Sequence, residues 1–192
     1  MSRAPRRRDG KPQREARPLP PAGGMTGSCD VPEQPIERAN LVHRRFDGRA
    51  FAWEGVAPQL YKRGDQGASG MGWRDDARHT LAGGEELAFQ LRYFEIGPGG
   101  FSSLEKHHHA HTIVVLRGRG QVIAGREVFA VEPFDLVVIP SAAPHQFVNA
   151  GEEPFGFLCP VDADRDPPQA LAEDELARLL QDADVRAAVR LG

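Results

Sequence analysis

With 2 cysteines in 192 residues, the chain has too few to staple a small secreted scaffold. Cys29 lies in a Gly/Ser/Pro-rich leader and Cys159 in an apolar strand pattern, so both are expected as free thiols. No apolar run approaches the roughly 20 residues that a bilayer-spanning helix needs, and no apolar signal-peptide core is present. The expected location is cytoplasmic, without a membrane partner. An excess of either charge is missing as well: 24 Lys and Arg against 27 Asp and Glu leave a net charge of -3. That balance argues against nucleic acid or an anionic membrane as the main partner.

The apolar share of 40% suits one well-cored domain. Residues 1–40 are different material: Arg6-Arg7-Arg8, then Pro18-Leu19-Pro20-Pro21, with no periodic apolar face. Such a segment cannot bury enough surface to offset its ordering entropy and is expected to be a disordered basic, Pro-rich leader. From 41 to 166 the signals are those of strands. Phe51-Ala52-Trp53 and Gln59-Leu60-Tyr61 are short candidates, and a Gly-rich hinge at 64–72 precedes another around Trp73. Leu87, Phe89, Leu91 and Tyr93 alternate with polar neighbours while Phe94 and Ile96 load the opposite face. Gly97-Pro98-Gly99-Gly100 predicts a turn that ends this strand.

Further strands are expected at 112–116, 121–124, 127–131, 136–139, 146–148 and 155–161, each bounded by Gly, Pro or Asn. Many short strands at this spacing predict an all-β sandwich or barrel. In 167–192 the period changes: Leu171, Leu176, Leu179 and Leu180, then 185–191, predict one or two short C-terminal helices against the barrel or a partner.

The chemistry is concentrated in Glu105-Lys106-His107-His108-His109-Ala110-His111, with His145 opening a later strand. Imidazole is the commonest ligand for divalent transition metals, and carboxylate completes mixed sets. On an extended chain Glu105, His107, His109 and His111 share one face and His108 takes the other. Ligand atoms must come within about 2.0–2.2 Å of a zinc-like ion. One straight strand cannot supply all four, so a bend at 108–110 is expected. Taken alone, such a histidine run is equally a solvated surface tract.

Two spaced blocks resemble the cupin family. Gly99, Glu105, His107, His111 and Gly118 keep the gaps of its first motif, with carboxylate and imidazole exchanged. Phe134-Asp135, Pro140, His145 and Asn149 resemble its second block, Phe134 and Ala142 standing where glycines are usual and predicting a differently shaped turn. The resemblance implies a single cupin-type double-stranded β-helix, a jelly-roll barrel with its metal-site core at 87–161, holding one divalent ion. Manganese leads, with iron, nickel or zinc as alternatives. Two ligand sets stay open: Glu105, His107, His111 and His145, with His109 as a proton carrier beside the ion, or His107, His109, His111 and His145 with Glu105 unused.

A narrower likeness runs through 91–100, 103–107, His145-Gln146-Phe147, Gly156-Phe157-Leu158-Cys159 and Asp164-Arg165-Asp166. It is similar to a cupin subgroup that includes a methylsulfurylase acting on 1-methylthioxylulose 5-phosphate in bacterial sulfur salvage. That implies a small sugar-phosphate substrate, Cys159 as the catalytic nucleophile, and an external thiol such as glutathione. From its surroundings alone, Cys159 reads first as a small hydrophobe in the core, and Pro160 beside it predicts a strand end or edge. Lys62, Arg63, Arg74 and Arg92 are candidate phosphate contacts. A cupin isomerase or dioxygenase needing only the metal, and a non-catalytic ligand-binding or sensing barrel, are the alternative functions. A homodimer is expected from the family likeness.

Overall fold

β-Branched and aromatic residues alternating between Gly and Pro punctuation give strands where period two predicts them. The computed structural model describes residues 42–60, 72–85 and 87–191. The leader, Cys29, Tyr61, Lys62, Arg63 and nearly all of the Gly-rich stretch lie outside the described residues. Of two units, the first, Met1–Val42, contributes only Val42 to the described set; all elements belong to the second, His43–Gly192.

The strands are β1 (Phe46–Asp47), β2 (Ala52–Trp53), β3 (Gln59–Leu60), β4 (Arg74–Ala82), β5 (Phe89–Phe101), β6 (His111–Arg117), β7 (Gly120–Ala124), β8 (Glu127–Val131), β9 (Leu136–Ile139), β10 (His145–Val148) and β11 (Phe155–Asp162). Two helices follow, α1 (Glu173–Leu179) and α2 (Ala183–Ala188). β1 and β2 pair with each other. The other strands form one curled antiparallel sheet in the order β8-β7-β10-β5-β11-β6-β9, with β4 also on β5 and β3 on β4. This is the expected jelly-roll architecture. Among the described residues no helix is long and apolar enough to cross a membrane.

The turn expected at 97–100 does not end its strand. β5 runs on to Phe101, pairing with β11 over Phe89–Ile96 and with β10 at Phe101. The glycines form the corner at which one strand passes from one half of the barrel to the other, as strands that switch sheets do. Asn149 fixes that corner: its Nδ2 donates to the carbonyls of Ile96 and Glu153 at 2.8 Å each, and its Oδ1 accepts from Gly151 N–H at 2.9 Å.

Inward residues of these strands make the main core, including Ile96, Ile113, Val115, Ile139, Phe155, Phe157 and Cys159. Phe94 stacks on Phe157 with centroids 5.6 Å apart. On the outer face, Tyr93 is fully buried against Phe51, Trp53 and His79, whereas Phe89 and Leu87 at the strand's start remain exposed. The helices dock on the barrel itself, through Leu179, Val185, Ala188 and Val189 against Phe101, Leu104, Ile123 and Val148. Gln146, wholly buried, clamps the C-terminal segment: its Nε2 donates to the Ser102 and Arg190 carbonyls and its Oε1 accepts from Arg190 N–H.

Pro160 does not end β11, which continues against β5 to Asp162. The registered pairing of β11 with β6 stops at Leu158, so the missing N–H of proline falls beyond that ladder.

The second motif also departs from expectation. Phe134 and Ala142 stand where the family has glycines, yet both keep left-handed backbones, with φ of 76° and 61°. The turns retain the glycine geometry and carry its cost for an L-residue. Both side chains are exposed, so little packing is lost on removing them. Phe134→Gly and Ala142→Gly are each expected to stabilise the fold by about 0.5–1 kcal/mol, after the greater freedom of glycine in the unfolded chain is set against the relieved strain. Urea unfolding midpoints check this; an unchanged or lowered midpoint refutes the strain. Gly118, which closes the first motif at φ 65°, has no such latitude, because a Cβ there would lie 2.1 Å from the Pro154 carbonyl oxygen.

Candidate metal centre

Two short connections bring the ligands together. His145, at the start of β10, forms an antiparallel bridge with Glu105: the N–H of each donates to the carbonyl of the other, at 2.9 and 3.1 Å. From there the chain passes through His107, bends at 108–109 and enters β6 at His111. The expected bend is present, and it turns His108 out to solvent.

His107, His111 and His145 offer nitrogen atoms that all lie within 4.8 Å of one another. Their Nδ1 atoms are engaged elsewhere: His107 Nδ1 with the His109 carbonyl at 2.8 Å, His145 Nδ1 with the Ala143 carbonyl at 2.9 Å, and His111 Nδ1 with Cys159 Sγ at 3.1 Å. A carbonyl accepts only from N–H, so the tautomers of His107 and His145 are fixed with a lone pair on Nε2. This is the outer-partner arrangement that orients metal-binding imidazoles. The Nε2 atoms of His107 and His111 are 2.6 Å apart, too close for two lone pairs without a proton or cation to satisfy them. Burial holds all three imidazoles below the usual histidine range, His111 down to about 2 and His145 to about 4, and neighbouring histidines add to the effect. Neutral imidazole is the ligating form. The donor set fits a divalent transition metal.

The other two expected ligands stand apart from this trio. Glu105 lines the same cavity, and its carboxylate accepts a hydrogen bond from Ser103 Oγ. His109 stacks on His107 with centroids 3.6 Å apart and belongs to a second cluster, His107, His109 and Asp166.

Asp166 enters the sequence reading only within the narrower likeness and without a role, and no ligand-spacing rule reaches it, since it lies 57 residues from His109. Its carboxylate accepts from His108 N–H at 2.7 Å, His109 N–H at 3.2 Å and His109 Nδ1 at 2.8 Å. The backbone amide of His108 and the His109 ring hold its pKa well below the usual carboxylate range. Asp166→Ala should free the ligand loop and weaken metal retention by roughly 10–100-fold, the usual cost of losing an outer partner. Metal content after dialysis against a graded chelator checks this, and unchanged retention would remove Asp166 from the site.

Cys159 belongs both to the core and to the cavity wall. It is 2% exposed within the main core, and it also lines the cavity at which the histidines converge. Burial pushes its thiol up to about 12. The cavity has a solvent-accessible volume of about 70 Å³ and opens to solvent. Of the basic candidates, Arg92 is buried and bound to Gln90, and Arg74 lies over the Phe101 ring; neither lines the cavity. Arg165 does.

A cupin-domain family model matches residues 92–161, the stretch that carries these ligands. The chain is 46% identical over 137 residues to the 1-methylthio-D-xylulose 5-phosphate methylsulfurylase of Rhodospirillum rubrum, covering 71% of this chain and 85% of that protein. Among solved structures it is similar to a cupin-2 domain from Rhodospirillum rubrum, with 45% identity, a TM-score of 0.66, and coverage of 74% of this chain and 93% of that one. It is also similar to a cupin 2 conserved barrel domain protein from Rhodopseudomonas palustris, with 37% identity, a TM-score of 0.71, and coverage of 78% and 99%. A curled antiparallel barrel, three inward imidazoles from two spaced blocks, and a relative this similar over most of both lengths lead to one statement: the chain belongs to the cupin family.

Proposed function

We propose that this cupin is a metal-dependent enzyme that removes the methylthio group from a sugar phosphate of the 1-methylthioxylulose 5-phosphate type. The observation that carries the reading is the 3.1 Å contact between Cys159 Sγ and His111 Nδ1, which sets a thiol at the edge of the histidine cluster inside one cavity. The 46% identity to a methylsulfurylase supports it.

In this reading His107, His111 and His145 hold one divalent ion, manganese first among manganese, iron, nickel and zinc, with Glu105 as the fourth ligand. The bound ion supplies Lewis-acid stabilisation of negative charge on the substrate's oxygens. Cys159 attacks the methylthio sulfur. A sulfur–sulfur bond forms, the carbon–sulfur bond breaks, and its electron pair passes to the sugar carbon, which a proton then satisfies. His109, oriented by Asp166, stands close enough to the cluster to carry that proton. The resulting methyl disulfide on Cys159 needs two equivalents of an external thiol such as glutathione: the first releases methanethiol, and the second regenerates Cys159 as the oxidised thiol pair leaves.

The burial of Cys159 favours a second reading. A thiol held near 12 is protonated at neutral pH, and a cupin isomerase or dioxygenase would need only the metal. The deciding test is methanethiol release from 1-methylthioxylulose 5-phosphate by the purified chain with manganese and glutathione added. Release supports the thiol reading; consumption of the substrate without methanethiol supports the metal-only one.

A further inference from the structure

We infer that Arg165 forms an anion subsite at the half-exposed end of the metal cavity and receives the phosphate ester of the substrate. The inference rests on reading the site as one for a sugar phosphate.

Arg165 is the sole lysine or arginine among the described residues that line the cavity. Lys106, next to the histidines in sequence, has its ammonium paired with Glu175 of α1. Arg165 lies in the connection between β11 and α1, which is fastened to the histidine loop at two points. Asp166 takes the His108 and His109 amides, and Gln169 exchanges backbone hydrogen bonds with Lys106 at 2.9 and 3.0 Å. The backbone of Arg165 is therefore positioned relative to the metal ligands by the same contacts that position His109.

Among the described residues its guanidinium donates once, to the Asp162 carbonyl at 3.3 Å, which leaves most of its donors for a ligand. A guanidinium presents parallel N–H groups that match two phosphate oxygens. The adjacent carboxylate of Asp166 is turned to the histidine loop, where three N–H groups bind it. The cavity thus has two chemically distinct ends. Buried His107, His145 and Cys159 form the inner end, and half-buried Arg165 forms the outer one. A substrate with its carbonyl and methylthio group at one terminus and a phosphate at the other fits that polarity.

The test is calorimetric titration of the metal-restored full chain with a ketopentose 5-phosphate and with inorganic phosphate. Arg165→Gln should weaken both by roughly tenfold or more, the loss of a charge-assisted contact, while Arg165→Lys retains most of the affinity and metal content stays constant in both variants. Arg165→Gln that binds the ester as tightly as the parent overturns the inference, as does a parent chain that binds neither anion. The proposed reaction fails separately: anion binding that depends on Arg165, in a chain that releases no methanethiol, removes the chemistry and leaves the subsite standing.

Discussion

Cys159→Ser is expected to lower methanethiol release by at least about a thousandfold, the scale on which losing a covalent nucleophile is felt. Its metal content should stay at that of the parent. The two readouts separate because Cys159 meets the ligand cluster through His111 Nδ1, the ring nitrogen facing away from His107 Nε2. Serine is nearly isosteric, and its hydroxyl can keep a hydrogen bond to that nitrogen. It cannot form the sulfur–sulfur bond on which the reaction depends. Normal turnover by the serine variant would end the nucleophile role and leave the metal-only chemistry. A collapse of both turnover and metal content would make Cys159 a support for His111 rather than a reactant. Trapping the methyl disulfide on Cys159 as a gain in protein mass, with the external thiol withheld, gives a measurement independent of rate.

The second large effect is on the ion. His111→Ala or His145→Ala should each reduce divalent-metal affinity by more than the roughly 10–100-fold that loss of an outer partner costs, and should abolish turnover with it. Each variant leaves two imidazoles of the trio. His107 and His145 would keep their Nδ1–H bonds to the carbonyls of His109 and Ala143, so the remaining nitrogens stay oriented while the ligand count falls. Elemental analysis of untagged protein after chelator dialysis reads this directly, and one ion per chain retained by both variants would place the metal elsewhere. Glu105→Gln and His109→Ala distinguish the two ligand sets. If Glu105 is the fourth ligand, its amide variant loses metal and the His109 variant does not. The reverse result would assign the position to His109 and leave Glu105 outside the ligand set.

Metal binding also has a calculable dependence on acid. The three imidazoles are neutral in the folded chain and have pKa values lowered from 6.5. The unfolded chain therefore takes up protons at these positions as pH falls below that value, while the folded chain does so only at lower pH. Stability from this source is complete above about 6.5 and is lost as pH descends toward the folded values. A bound ion strengthens the same trend by competing with protons for Nε2.

Most of the barrel was legible in the sequence because its signals are local. Alternation at period two and turn residues at short intervals placed β8 and β9 to the residue and β6, β7, β10 and β11 within a residue or so. Leucines at helical spacing placed α1, and the run expected at 185–191 overlaps α2 only as far as Ala188. The three histidines were found for a similar reason: two lie within five residues of each other, and the third opens a strand in a block of known spacing. The corner of β5 was not legible. Gly97-Pro98-Gly99-Gly100 is locally a turn, and only pairing with both β10 and β11 makes it the middle of one strand. Phe134 and Ala142 mislead in the opposite sense, since a local rule predicts an altered turn and the surrounding barrel enforces the original one.

Residue order alone therefore pointed to a β-barrel with helices at its end, and to Glu105, His107, His109, His111 and His145 as its candidate ligands. Tertiary structure decided which nitrogen of His107 and His145 is available, that Cys159 faces the cluster from within the core, and that Asp166 and Arg165 join the site. The physical reason is separation along the chain. Strand alternation and ligand spacing act over a few residues and leave a periodic trace, whereas contacts such as His109 with Asp166 or His111 with Cys159 form only when closure of the barrel brings distant segments together.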